Sequence, residues 1–415
     1  MAKQNKPAIR FKGFTDAWEQ RKLGELVEIG DIDHRMPETV ADGIPYLMTG
    51  DFCGTNELNF NSVKMISEND YRQLSQKIKP EQGDIIFARY ASVGAARYVD
   101  FTRKFLISYS CAIIKQSKKI DSKYLYHFIT SASAQKQIKI EINTGSQANI
   151  GIDSMKNNII VDMPLPEEQR KIGIFLTQID HLITLHQRKY DKLQVLKKAL
   201  LEKMFPKNGS SVPEIRFKGF TDAWEQRKLG EVVERITRKN ENLESTLPLT
   251  ISAQYGLINQ NEFFDKRIAS KDVSGYFLVR NGEFAYNKST SSDAPWGAIK
   301  RLDSYESGVL STLYIVFKIL DERKTSSDYI VTYYNTDLWH KGIQAIAAEG
   351  ARNHGLLNVA PADFFETNLT MPKDYAEQQQ IGSFFQQLDH LITLHQRELE
   401  KLQNIKKSML EKMFV

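Results

Sequence analysis

Two segments of the chain have the hydrophobic spacing of long amphipathic helices. In residues 167–205 the apolar positions recur at steps of three or four, with one step of eleven that equals about three turns; they are Ile172, Phe175, Ile179, Leu182, Leu193, Leu196 and Leu200. Residues 377–414 carry the matching stripe of Ile381, Phe384, Leu388, Leu391, Leu402, Ile405 and Met409. At about 1.5 Å per residue, each helix would be roughly 55 Å long. We therefore predict two long helices that bury equivalent stripes against each other as an antiparallel coiled coil.

The regions outside these helices have the composition of strands and shorter helices. Four runs rich in β-branched and aromatic residues predict strands, at 83–89, 104–115, 282–287 and 309–318. Helical spacing returns in 121–142 and 327–348. The pattern predicts an α+β protein with two mixed α/β domains. We expect a first domain at 1–165, a central helix at 166–206, a linker at 207–214, a second domain at 215–372 and a C-terminal helix at 373–415.

The chain also repeats itself. The sequence IRFKGFTDAWEQRKLGE occurs at 9–25 and again at 215–231, and DHLITLHQR occurs at 180–188 and again at 389–397. The stretches 30–165 and 236–372, called the two inserts below, show little resemblance to each other. A shared frame that carries two different inserts indicates one scaffold with an internal pseudo-two-fold repeat and two different recognition surfaces.

Some repeated side chains leave two interpretations open. The aromatic residues of the 17-residue repeat are either core anchors or a docking surface; they are Phe11, Phe14, Trp18, Phe217, Phe220 and Trp224. His186 and His395 fall on the helical stripes, where a histidine either packs in the seam or serves as a pH-sensitive or metal-binding group.

Composition and charge add little to this picture. Hydrophobic residues make up 41% of the chain and charged residues 26%, as is ordinary for globular proteins. There is no apolar run long enough for a membrane span, no secretory signal, and only two cysteines, so we expect a cytoplasmic protein with reduced thiols. The stretches 21–165 and 227–372, which contain the two inserts, are nearly neutral, with 18 Lys and Arg against 17 Asp and Glu in the first and 17 against 18 in the second. Nucleic-acid binding would therefore need basic residues gathered on one face.

Sequence motifs of common enzymes are absent. The chain has no GxxxxGK[ST], no GxGxxG, no HExxH, no GxSxG and no paired-cysteine zinc pattern. It also lacks the Asn/Asp-Pro-Pro-aromatic tetrapeptide expected where a flipped adenine is methylated. We therefore predict a non-catalytic chain with no catalytic residue and no metal site.

The order of these elements resembles a known family. The chain is similar over nearly its whole length to the specificity (S) subunit of type I restriction–modification systems. Four features carry the resemblance: the repeated opening RFKGFTDAWEQRKLG, the run Gly83–Arg89 with its counterpart 282–289, the loop Thr144–Ile150 that leads into Met163–Gln169, and the pair of long helices. Duplication of this order around two dissimilar inserts is more specific than any single motif.

The resemblance implies that each domain is a target-recognition domain that reads one half of a split double-stranded DNA target, with the helices as a ruler between the half-sites. Dissimilar inserts favour an asymmetric target over a palindrome. The repeated frame would dock two methyltransferase (M) subunits, which bring S-adenosylmethionine and methylate an adenine in each half-site. Restriction/translocase (R) subunits would add ATP- and Mg-dependent cleavage, and this chain itself would bind no cofactor.

Base-edge contacts need Arg or Lys for guanine and Asn or Gln for adenine, and phosphate contacts need Lys, Arg, Ser or Thr. In the first domain the candidates are Arg35, Arg89, Tyr90 and Arg97, followed by Ser146, Gln147 and Asn149 on the Thr144–Ile150 loop. In the second domain they are Asn287, Lys288, Ser289 and Trp296, followed by Arg352, Asn353 and His354 on the corresponding loop. For each one, the alternative is a solvated side chain, a turn cap or a packing residue.

Two other interpretations stay open. The chain could be a stand-alone DNA-binding or anti-restriction protein that uses the same frame, or a peptide-binding adaptor on a coiled-coil rod. The near-neutral inserts are what favour the adaptor. Salt dependence separates the hypotheses, because duplex binding through several phosphates weakens steeply as salt rises.

Overall fold

The computed structural model describes residues 6–145, 147–207, 209–252, 256–265, 268–291, 294–347 and 357–414. It divides into two compact units. The first unit comprises Met1–Tyr190 and Leu394–Val415, and the second comprises Asp191–Thr393. Among the described residues, no helix is both long and apolar enough to cross a membrane.

The first unit is a mixed α/β domain. Its strands are β1 (Glu19–Lys22), β2 (Ile29–Gly30), β3 (Ile44–Leu47), β4 (Phe52–Cys53), β5 (Glu57–Leu58), β6 (Lys64–Ile66), β7 (Ile85–Ala88), β8 (Ala96–Tyr98), β9 (Leu106–Ile107), β10 (Cys111–Ile114) and β11 (Ile160–Met163). Its helices are α1 (Leu23–Leu26), α2 (Glu68–Leu74), α3 (Ser122–Thr130), α4 (Ala132–Ile140), α5 (Ile152–Asn158) and the first part of α6 (Pro166–Lys203). The central antiparallel sheet has the order β2-β10-β7-β8, and a smaller sheet has the order β6-β3-β9.

The second unit is also a mixed α/β domain. Its strands are β12 (Glu225–Lys228), β13 (Val233–Ile236), β14 (Leu249–Ser252), β15 (Gly256–Asn259), β16 (Phe277–Arg280), β17 (Phe284–Asn287), β18 (Ala298–Arg301), β19 (Ser307–Leu310), β20 (Ile315–Ile319) and β21 (Asn368–Met371). Its helices are α7 (Gln260–Phe264), α8 (Ser327–Tyr333), α9 (His340–Ile346), α10 (Pro361–Phe365) and the first part of α11 (Tyr375–Lys412). The sheet β13-β20-β17-β18 repeats the order of the first unit's central sheet. Two inserts with little sequence resemblance therefore share the strand order of their central sheet.

In each domain, one strand of the repeated 17-residue segment pairs with a strand near the end of that domain, and its arginine forms a buried ion pair. In the first unit, β1 pairs with β11, and Arg10 Nη2 lies 2.7 Å from the fully buried Glu168 carboxylate at the start of α6. Trp18 donates its indole N–H to the same carboxylate. In the second unit, β12 pairs with β21, and Arg216 and Trp224 contact Glu377 in the same way. Trp18 and Trp224 are each only 5% exposed, which confirms the core-anchor interpretation for both tryptophans.

The two long helices are confirmed at 38 residues each. Pro166 begins α6, where its missing N–H costs no hydrogen bond. Within the first unit, α6 and α11 run antiparallel: Asp180 contacts Lys406, whereas His186, further along α6, contacts the earlier residue His395. Within the second unit, Lys197 lies 2.6 Å from Asp389.

The predicted seam is only partly correct. Ile172 and Ile179 are buried as expected, but Leu182 and Leu196 are 42% and 47% exposed. The buried positions of α6 include Leu176 and Ile183 instead, because this part of the helix packs on the core of the first domain as well as on α11. On α11 the predicted Leu391 is 44% exposed, whereas Phe385 and Ile392 are buried.

Four of the shorter predicted elements are each divided into two, whereas the strands predicted at 83–89 and 282–287 correspond to the single strands β7 and β17. The helix predicted over 121–142 is two helices, because Ser131 adopts an extended backbone and caps α4 by accepting a hydrogen bond from Ala134 N–H. The helix predicted over 327–348 is α8 and α9. The strand predicted over 104–115 is β9 and β10, separated by the turn at 108–110, and the run 309–318 is likewise divided between β19 and β20.

Candidate nucleic-acid interface

In the first unit, several candidate residues gather where strand β7 ends. Arg89 and Tyr90 directly follow this strand. The backbone N–H of Ile150 donates to the Arg89 carbonyl over 3.1 Å, and Tyr90 forms a β-bridge with Asn149. The predicted loop at 144–150 therefore lies beside the end of β7. We call this group, with the neighbouring residues 31–35 and 109, the first strand-end site.

Arg89 is the buried centre of the first strand-end site. Its Nη1 forms an ion pair with Asp31, and its Nε donates to the Ile150 carbonyl over 3.0 Å. The side chain is only 7% exposed. Arg89 therefore holds the end of the 144–150 loop at Ile150. Base contact by Arg89 itself stays a prediction.

Asp31 is surrounded by cationic or titratable groups. Lys77 Nζ lies 3.3 Å and His34 Nε2 lies 3.2 Å from its carboxylate, in addition to Arg89. Burial raises the pKa of Asp31, but the hydrogen bond with His34 and the charges of Arg89 and Lys77 outweigh it and lower this pKa below 3.8. Asp31 is therefore ionised at neutral pH and neutralises Arg89.

A small aromatic surface adjoins this ion pair. The His34 ring stacks on Tyr109 with centroids 5.0 Å apart, and Tyr90 meets Tyr109 edge-on at 6.4 Å. The His34 side chain is 60% exposed. Flat, accessible rings can stack on bases or sugars. The sequence prediction missed His34 and Tyr109, although the polar turn at 108–110 that interrupts the apolar run 104–115 was a visible signal.

The amides of the loop are placed differently from one another. Asn149 is half-buried, and its Nδ2 donates to the Gln147 carbonyl over 3.0 Å, so that it stabilises the turn. The Asn143 amide contacts Asn149 Oδ1 at 3.4 Å. Gln147 is exposed and can present its amide to a ligand. The candidate Ser146 lies outside the described residues.

The other two arginine candidates of the first unit are engaged in local contacts. Arg97 donates to the carbonyls of Cys53, Gly54 and Glu57 at 3.1–3.2 Å, and thereby holds the hairpin of β4 and β5. Burial lowers the pKa of Arg97. Arg35 is more accessible, with 44% of its side chain exposed beside Asp70. Arg35 is thus better placed than Arg97 to meet an external phosphate.

In the second unit, strand β17 ends in an equivalent arrangement with different side chains. The backbone N–H of Leu357 donates to the Lys288 carbonyl over 2.9 Å, as Ile150 does to Arg89. Lys288 Nζ donates to the Val359 carbonyl over 3.4 Å, and burial lowers the pKa of Lys288. Among the described residues Lys288 forms no ion pair, in contrast to Arg89.

The remaining candidates of the second unit flank Lys288. Asn287 accepts a hydrogen bond from the Ser289 N–H through its side-chain oxygen, and Ser289 is exposed. Trp296 is half-buried, and its carbonyl accepts a hydrogen bond from the Tyr286 hydroxyl over 2.8 Å. Arg352, Asn353 and His354 lie outside the described residues. We call Asn287, Lys288, Ser289 and Trp296 the second strand-end site.

Both sites present groups that can bind nucleic acid. They offer amides, hydroxyls, aromatic rings and cations, the groups that contact bases and phosphates. In the described part of the chain, no cluster of three or more His, Cys, Asp or Glu side chains has the spacing of a metal site.

Comparison with known proteins agrees with this fold. Residues 15–195 match the family model of the type I restriction modification DNA specificity domain. The S subunit of the type I restriction–modification system from M. genitalium aligns over 99% of both chains, with a TM-score of 0.65 and 15% identity. This alignment shows a shared fold.

Two further structures align less well. The HsdS subunit from Thermoanaerobacter tengcongensis aligns over 96% of both chains, with a TM-score of 0.40 and 15% identity. A chain from a structure of type I R-M complex assembly and conformational transition aligns over 96% of this chain and 98% of that one, with a TM-score of 0.45 and 15% identity.

Proposed function

We propose that this chain reads a bipartite, asymmetric DNA target, because residues 15–195 match the family model of the type I restriction modification DNA specificity domain and the chain shares the fold of an S subunit. One observation carries this proposal. In both units, the residue that follows the equivalent strand, Arg89 after β7 and Lys288 after β17, accepts a backbone hydrogen bond from a loop residue. The side chains at these equivalent positions are nevertheless different. Equivalent positions with different chemistry suit two half-sites of different sequence.

The first strand-end site offers a stacking surface and an exposed amide. His34 and Tyr109 present rings, Gln147 presents an amide that can pair with adenine, and Arg35 lies close by in sequence for a phosphate. In the second site, Ser289 is exposed, and Lys288 has no described carboxylate to neutralise it. We propose that the two long helices set the number of bases between the half-sites.

The chemistry of modification would reside on partner chains. We propose two M subunits that carry S-adenosylmethionine and methylate adenine, and R subunits that use ATP and Mg for cleavage. This chain would be non-catalytic and supply the sequence information.

Mapping N6-methyladenine tests the DNA-recognition proposal. The chain would be restored to a deletion host that carries its M subunit, either as wild type, as His34→Ala/Gln147→Ala, or as Ser289→Ala. Wild type should restore one gapped asymmetric motif. Each lost base contact costs about 1–3 kcal/mol, so each variant should relax recognition by roughly ten- to a hundredfold per position.

In this experiment, the half of the motif read by the unchanged unit serves as the control for the half read by the substituted unit. His34→Ala/Gln147→Ala should relax one half of the motif only, and Ser289→Ala the other half only. Methylation that is unchanged by deletion of the chain would contradict the DNA-recognition proposal. DNA affinity that shows no salt dependence would instead favour the adaptor hypothesis.

Exposed leucines on the long helices support the proposed M docking. Leu182 and Leu391 occupy equivalent positions of the repeated DHLITLHQR and are 42% and 44% exposed. Leu185 and Leu394, also equivalent, are 40% and 44% exposed. An apolar patch that occurs twice, once per repeat, fits a partner that binds in two copies.

Leucine-to-glutamate variants test the docking proposal by native mass spectrometry with purified M subunit. Wild type should take up two copies, Leu182→Glu or Leu391→Glu one copy, and the double variant none. Each buried leucine contributes about 1.5–3 kcal/mol, so each substitution should weaken its own contact by roughly ten- to a hundredfold. Lys192→Glu, an exposed position on α6, is the matched charge control and should still take up two. Two copies on the double variant would refute docking at these leucines.

A further inference from the structure

Two histidines face each other where the long helices pack in the first unit. His186 on α6 and His395 on α11 are equivalent residues of the repeated DHLITLHQR. Their Nδ1 atoms are 3.1 Å apart, their ring centroids are 5.1 Å apart and their planes are inclined by 62°. Both side chains are half-buried, so that solvent reaches the pair.

The separation of the two nitrogens is the bite of a chelating pair. Imidazole nitrogens bind transition metals at about 2.0–2.1 Å, so two of them at an angle of roughly 90–110° are about 2.9–3.4 Å apart. Two rings that aim at one such ion would have centroids about 5 Å apart by the same geometry. The observed nitrogen and centroid separations both meet these requirements.

We propose that His186 and His395 bind one divalent transition-metal ion of the imidazole-preferring class, Cu²⁺, Ni²⁺ or Zn²⁺. Without metal, one Nδ1 donates a hydrogen bond to the other. Binding requires that the donor imidazole carry its proton on Nε2 instead, so that both Nδ1 lone pairs face the ion and no net proton is released. Water would complete the coordination shell, because the described residues supply no third metal-ligating side chain at this point.

The bound ion would join α6 to α11. Because metal binds this arrangement and not the unfolded chain, it would raise the melting temperature in proportion to the logarithm of metal concentration. Lys189 carries a positive charge near His395 and opposes a dication there. The site is therefore expected to be weaker than a structural zinc site with four ligands.

Isothermal titration of the full-length, untagged chain with NiCl2, CuCl2 and ZnCl2 tests this inference. Wild type should bind one ion of at least one of these metals and melt at a higher temperature with metal than with EDTA. His186→Ala/His395→Ala should lose this binding by at least about tenfold. His181→Ala/His390→Ala is the matched control, because these histidines belong to the same two repeats but are exposed.

Each outcome decides the inference. If the control pair keeps wild-type binding and the His186/His395 pair loses it, the site is established. If both double variants bind as wild type does, or if wild type binds no ion, the two histidines form only a hydrogen-bonded pair. Single His186→Asn and His395→Asn variants retain a polar side chain and should each lose binding, which tests the site even where the double variant does not fold. None of these results depends on DNA recognition.

Discussion

Replacement of Glu168 by alanine is expected to destabilise the first unit by about 3–5 kcal/mol. Glu168 is fully buried at the start of α6, and its two oxygens accept hydrogen bonds from Arg10 at 2.7 and 2.8 Å. The Trp18 indole N–H contacts the same carboxylate at 3.3 Å. Without the carboxylate, the Arg10 guanidinium, only 12% exposed, has lost its counter-charge, and a buried N–H has lost its acceptor.

Urea denaturation of the full chain would measure this loss, and the chain offers two comparisons. Glu167→Ala removes a neighbouring, 70% exposed carboxylate paired with Lys171, and should change the free energy of unfolding by less than about 0.5 kcal/mol. Glu377→Ala removes the equivalent ion pair with Arg216 and should destabilise the second unit by a similar amount to Glu168→Ala. If Glu168→Ala lowers the free energy of unfolding no more than Glu167→Ala does, the Arg10–Glu168 ion pair does not stabilise the domain.

Periodicity predicted the long helices because a helix is determined by local spacing and by its ends. The prediction of 167–205 agrees closely with Pro166–Lys203, since prolines delimit the segment. The seam was less predictable. Positions such as Leu176 and Leu182 are both apolar, and the choice between them depends on the domain that packs against the helix, which local spacing does not reveal.

Strand order could not be predicted from the sequence for a similar reason. The run at 83–89 was predicted as a strand, and β7 occupies Ile85–Ala88, but its partners β10 and β8 are fixed by contacts between distant segments. The same limit applied to the candidate site. Arg89 and Arg97 were chosen because arginine often reads guanine, yet their partners, Asp31 and the carbonyls of the 52–58 hairpin, are set by tertiary structure.

Replacement of Lys406 by methionine is expected to cost about 3–5 kcal/mol near neutral pH. Lys406 Nζ lies 2.5 Å from Asp180 Oδ1, and the two side chains are only 12% and 9% exposed. Among the described residues, neither Asp180 oxygen accepts a well-formed hydrogen bond. Methionine retains the aliphatic stem but leaves the Asp180 carboxylate buried without a counter-charge.

The repeat supplies the control for this substitution. Lys197 and Asp389 are the equivalents of Lys406 and Asp180, and they also form an ion pair, at 2.6 Å. There the aspartate is 40% exposed, so that water replaces the lost cation. Lys197→Met should therefore cost only about 0–1 kcal/mol. Because the two equivalent ion pairs differ in burial, a difference between the costs of Lys406→Met and Lys197→Met would identify desolvation of the aspartate as the cause of the lost stability.

The loss in Lys406→Met should also depend on pH in a defined direction. Burial raises the pKa of Asp180 above 3.8 even though Lys406 opposes this shift, so removal of Lys406 raises the folded-state pKa further. A carboxyl group with a raised pKa favours the folded state below its unfolded pKa, and that stability is lost as pH rises through the folded pKa. The cost of Lys406→Met should therefore be largest near neutral pH and shrink as pH falls toward about 4.

Melting temperatures of wild type, Lys406→Met and Asp180→Asn/Lys406→Met over this pH range would show whether the buried charge of Asp180 causes the loss of stability. If the double variant is as unstable as the single one at neutral pH, the lysine stabilises the fold by packing and not by charge.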